Sequence, residues 1–178
     1  MADEGGNSLT VLDAATNTVS TTLTGMPGPH NVQVGHDGAT VYASSNTTNT
    51  VVAIDAATYR VTATAPDGGP EPAHVIEAPN GKVYVANSGD GTVSVYQSPN
   101  LQPVGRIDVG GTPHGLRAAA GGSVIVIANH MAGAVDLIDP PAPTGCWAPY
   151  PWAMDQRRSR SPPTAALPTP ARPNHLRW

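Results

Sequence analysis

The stretch KVYVANSGDGTVSVYQ, residues 82–97, decides the fold. Val93 and Val95 alternate with Thr92 and Ser94, the period of a half-buried strand. The run KVYVAN before it reads as a partner strand. Between them Ser88-Gly89-Asp90-Gly91 supplies the positive φ that a tight hairpin turn requires. Working outward, HVIEA precedes the pair through a Pro79-Asn80-Gly81 turn, and PVGRIDV follows it after SPNLQ. The unit is therefore four short antiparallel strands.

The unit recurs. Tyr42 and Tyr84 are 42 residues apart, and Asp13, Asp55 and Asp139 fall at spacings of 42 and 84, with Gln97 in the intermediate slot. One inserted residue between the Pro-His region and the next tyrosine aligns the second unit. A four-stranded unit repeated every ~40–50 residues is the sequence mark of a β-propeller blade, and helical periodicity is absent from 1–139. The expected fold is all-β: a β-propeller fragment of about three four-stranded antiparallel blades. Met1–Asn7 aligns with Val85–Gly91, so the first blade is expected to begin on its second strand. An arc of three blades would leave two sheet faces without neighbours, which predicts marginal stability and self-association through exposed blade edges.

The strands Tyr84-Val85-Ala86-Asn87, Val126-Ile127-Ala128-Asn129 and Tyr42-Ala43-Ser44-Ser45, with the Asn49–Thr58 segment that follows the last, resemble the YVTN-type β-propeller repeat over about residues 1–139. That resemblance implies a propeller from exported, periplasmic or cell-surface proteins, a group that includes surface-layer proteins and relatives of lactonases and of cofactor-bearing propellers. It implies no single activity. A non-enzymatic binding scaffold is the first expectation, with a small molecule or protein held at the central channel. A propeller enzyme, lactonase-like or a metal- or cofactor-dependent oxidoreductase, is the second.

The 178 residues contain no Phe, 19 Gly and 19 Pro, a balance suited to strands and tight turns. Residues 1–139 carry 12 acids against four bases, a net of −8, which argues against a nucleic-acid surface. Residues 140–178 reverse the sign, with one acid, Asp155, against five arginines. One cysteine excludes an intrachain disulfide and a multi-cysteine metal site. The N-terminus has neither the basic nor the apolar region of a signal peptide, and no apolar run approaches the length of a membrane span.

Residues 140–178 are rich in Pro and Arg and are expected to be disordered. Regrouping codons across residue boundaries suggests their origin. Trp147/Ala148, Trp152/Ala153 and Met154/Asp155 each read glycine in the shifted frame, and Gly145–Pro168 can encode a string ending SPDGRTAY. The expectation is a frameshift-derived tail, in which Cys146 has no role.

Histidines recur at the start of each unit's first strand: His30, His74 and His114. Three convergent imidazoles could ligate zinc or copper, and Pro-His also serves as turn-plus-strand chemistry repeated with the blade. His74 is offset by one position from the other two. The reading is therefore no metal, no cofactor and no catalytic residue, with these three as the candidates. His36 and His130 read as solvated hairpin residues, and Asp13, Asp55 and Asp139 as turn formers.

Overall fold

The computed structural model describes residues 1–65, 69–119 and 121–139. The expected disorder and frameshifted origin of 140–178 fall outside them. The described residues form four antiparallel sheets and no helix long and apolar enough to cross a membrane. Each sheet is a simple meander. The first holds β1 (Ala2–Asp3), β2 (Ser8–Asp13) and β3 (Thr18–Thr24). The second holds β4 (Pro29–Val34), β5 (Thr40–Ser45), β6 (Thr50–Asp55) and β7 (Val61–Ala65). The third holds β8 (Pro72–Ala78), β9 (Lys82–Asn87), β10 (Thr92–Gln97) and β11 (Gln102–Asp108). The fourth holds β12 (Pro113–Ala118), β13 (Ile125–Asn129) and β14 (Ala134–Ile138). Two sheets thus have all four strands of the unit, and β1–β3 correspond to its second to fourth strands.

The repeat extends to the backbone. The residue before each third strand, Asn7, Asn49, Gly91 and Gly133, has φ of 52°, 54°, 73° and 57°. These positions are 42 residues apart and hold Asn or Gly, the types that tolerate left-handed backbone. A second left-handed series follows the third strand at Asn17, Tyr59 and Leu101, with φ of 54°, 59° and 55°. Bulges between third and fourth strands also recur in phase, at Val11/Leu12, Ala53/Ile54 and Val95/Tyr96. At these bulges the pleat slips by one residue and the sheet twists further.

The core lies between sheets. Val83 and Val85 pack with Tyr42, Val51 and Ala53 of the second sheet. Their neighbours Tyr84 and Ala86 face the other way, onto Leu116, Ile125 and Ile127 of the fourth. Leu9 joins the first sheet to Ala43, Val52 and Ile54. Strands β8–β10 of the third sheet are therefore buried on both faces, and the half-buried pattern expected of β10 is replaced by burial of Ser94 as well. Ser94 tolerates this because the buried Asn87 amide donates to its hydroxyl at 2.9 Å. The same Asn87 Nδ2 lies 2.9 Å from Thr92 Oγ1. One repeat later Asn129 Nδ2 donates to Asp136 at 2.9 Å. The asparagine that closes the Tyr-Val-Ala-Asn strand thus clamps that strand to the next.

Candidate functional site

The first strands β4, β8 and β12 lie side by side at the inner end of their sheets. Each starts with a buried proline, Pro29, Pro72 or Pro113, paired with the last residue of the second strand. The ladder is irregular immediately after it: between Pro29 and Asn31, between Pro72 and Val75, and between Pro113 and Gly115. His30, His74 and His114 all fall within these breaks. A bulge re-aims side chains that strict alternation would send to opposite faces. The one-residue offset of His74 lies inside the longest break, so it does not keep that ring from the other two.

The three rings meet. Their centroids are 5.1 Å apart for His30–His114, 5.0 Å for His74–His114 and 6.3 Å for His30–His74, at interplanar angles of 86°, 54° and 61°. One ring nitrogen from each lies within 4.8 Å of the others. His30 Nε2 and His114 Nε2 are 3.2 Å apart. His74 Nδ1 is buried without a hydrogen-bond partner. Burial holds the His74 imidazole below its ordinary pKa, and the neighbouring His114, His30 and Arg117 charges push it the same way. Burial likewise lowers His114, followed by repulsion from His30 and His130.

Glu4, in the turn between β1 and β2, closes one side. Its Oε1 accepts a hydrogen bond from Asn46 Nδ2 at 2.6 Å, and its Oε2 lies 3.5 Å from His30 Nδ1. The Asn46 amide, and then His30, lower the Glu4 pKa, so it is a carboxylate at neutral pH. A cavity of about 380 Å³ opens beside the cluster, walled by Glu4, His30, Asn46, Glu71, Ser88 and His114 among others and, among the described residues, by no Lys or Arg. The more enclosed His74 does not line it.

Sequence reading missed Glu4, Asn46 and Ser88, although a signal was present. All three occupy one phase of the 42-residue repeat, the hairpin turn after the second strand, and His130 is the next member. Along the repeat this position changes from acid to amide to hydroxyl. His36 is exposed, and its backbone N–H donates to Glu77 Oε2 at 2.7 Å. His130 is also exposed and stays outside the three-ring cluster. Asp13 and Asp55 take the expected turn role: Asp13 Oδ1 accepts from Ala15 and Thr16 N–H at 2.8 and 3.0 Å, and Asp55 Oδ1 from Thr58 N–H at 2.7 Å.

Among solved structures the chain is similar to Kuenenia stuttgartiensis hydrazine synthase, a β-propeller-containing protein, with a TM-score of 0.70 and 24% identity. The fold is β-propeller-like. The match covers 76% of this chain and 41% of that one, so the chain spans about two fifths of that structure. No protein-family model matches the chain, and no curated protein matches it.

Proposed function

We propose that the chain is part of a YVTN-type propeller that acts as a binding scaffold, in a periplasmic or cell-surface parent, with its ligand in the cavity at the inner strands. The observation that carries this reading is the repeat-phase position Glu4, Asn46 and Ser88. That one turn position supplies the cavity rim with a carboxylate, an amide and a hydroxyl. Binding fits the rim better than covalent catalysis does. The Ser88 hydroxyl is committed to the Glu71 carbonyl at 2.9 Å, and among the described residues no hydroxyl or thiol nucleophile is paired with a base in the cavity. With two carboxylates and, among the described residues, no Lys or Arg on its wall, the cavity favours a cationic or hydrogen-bonding neutral ligand over an anion.

Titration of the ¹⁵N-labelled chain with ethylammonium and, separately, with acetate tests the reading. Ethylammonium is expected to shift the Asn46, Ser88 and His114 resonances, and Glu4→Gln to weaken the effect. Equal response to acetate, or shifts confined to residues outside the cavity, would count against it. The converging histidines favour a second reading, a propeller enzyme of lactonase-like or metal-dependent type. Turnover of a simple lactone above the buffer rate, lost in His114→Ala, would place the chain there.

A further inference from the structure

We infer that His30, His74 and His114 form a site for one zinc-class divalent transition-metal ion, bound through three imidazole nitrogens with a further coordination position open to the cavity. This inference rests on the cavity being the binding site and names what it holds.

Four observations converge. First, the donor atoms are already gathered within 4.8 Å of one another, although the residues come from three sheets and span 84 positions of sequence. Second, the 3.2 Å His30–His114 Nε2 separation suits a shared ion. Two zinc–nitrogen bonds of about 2.0–2.1 Å at a tetrahedral angle place their nitrogens roughly 3.3–3.4 Å apart. Third, His74 Nδ1 is buried without a partner, where a buried polar atom in a folded protein is ordinarily satisfied. Fourth, the Glu4 carboxylate stands 3.5 Å behind His30 Nδ1. A carboxylate on the far nitrogen of a ligating imidazole fixes its tautomer and leaves the other nitrogen as the donor.

The donor set selects the ion class. Three imidazoles without thiolates, and with no carboxylate among the three donors, suit zinc, copper or nickel and disfavour calcium and magnesium, which take oxygen ligands. Three protein ligands leave zinc's fourth tetrahedral position free, the arrangement of sites that hold an exchangeable water or ligand. Here that position would face the cavity bounded by Glu4 and Asn46.

The test is calorimetric titration of Zn(II) into the chelator-treated full chain at pH 7.5, with Co(II) and Cu(II) as spectroscopic probes. One ion per chain is expected, with the visible absorption of tetrahedral Co(II) and multi-nitrogen hyperfine splitting in the Cu(II) resonance spectrum. His74→Ala and His30→Ala are expected to weaken Zn(II) binding at least tenfold, while His36→Ala leaves it unchanged. Absence of stoichiometric binding, or binding unchanged by His74→Ala, would overturn the inference. Should a variant fail to fold by circular dichroism, a wild-type Cu(II) spectrum lacking multi-nitrogen coupling overturns it independently. If ethylammonium still shifts the cavity resonances while Zn(II) does not bind, the metal inference alone falls. If neither binds, both readings fall.

Discussion

Tyr59 shows what the repeat imposes on single residues. It occupies the left-handed position that Asn17 fills one repeat earlier, with φ of 59°, although a bulky side chain is disfavoured there. Its N–H nevertheless closes the turn onto the Asp55 carbonyl at 2.8 Å. Because the side chain is partly exposed, Tyr59→Asn is expected to gain stability by up to ~1 kcal/mol, read from the urea midpoint. Asn49 gives the opposite case: φ of 54° and an Oδ1 that accepts the Glu71 N–H at 2.9 Å. Asn49→Ala is expected to cost about 2 kcal/mol, through left-handed strain and the lost hydrogen bond together. Protonation also acts at this scale. His74 and His114 titrate below the ordinary value of 6.5 in the folded chain. As pH falls below 6.5 the unfolded chain takes up protons before the folded one, so metal-free stability declines and then levels off below the folded pKa values. Urea midpoints between pH 7.5 and 5 should show that decline, and His74→Ala should reduce it. A midpoint that rises on acidification would contradict the burial assigned to these rings.

At the scale of elements, alternation made the strands legible. Lys82–Asn87 and Thr92–Gln97 coincide with the strands read from periodicity, and the Asn80-Gly81 turn has its glycine at φ of 70°. The bulges were not legible, because a ladder slip is set by how two strands pair, and the proline before each break at the histidines is equally at home as the first residue of a regular strand. That is why, in the sequence alone, the one-residue offset of His74 argues against convergence. The rim residues Glu4, Asn46 and Ser88 were missed for a related reason: strand patterning says which turns exist, not which of them share a cavity. Interlocking of whole sheets is tested in the core. Ile127 is fully buried between the third and fourth sheets, and Ile127→Ala is expected to cost ~2–5 kcal/mol. Denaturant unfolding checks it, and a cost near zero would mean that the fourth sheet does not pack as described.

For the whole molecule, the histidines lie on three successive sheets joined by apolar cores and, between the second and third, by hydrogen bonds such as His36 N–H to Glu77. An ion bound by all three would tie β4, β8 and β12 together, so Zn(II) is expected to raise the melting temperature with concentration, and chelator to reverse the gain. On the outer face of the fourth sheet, Val135 and Leu137 are exposed where an inner sheet would carry a neighbour. Val135→Lys with Leu137→Lys should reduce concentration-dependent association in sedimentation. The sheet architecture was readable because 42-residue periodicity survives in the side chains, whereas the meeting of the three histidines depends on how successive sheets lean together. That meeting is the central claim, and it requires no ion. In a histidine-ring NOE spectrum of the metal-free chain, cross-peaks should connect ring protons of His114 with those of both His30 and His74, and none should reach His36. Three mutually isolated ring systems would contradict the account.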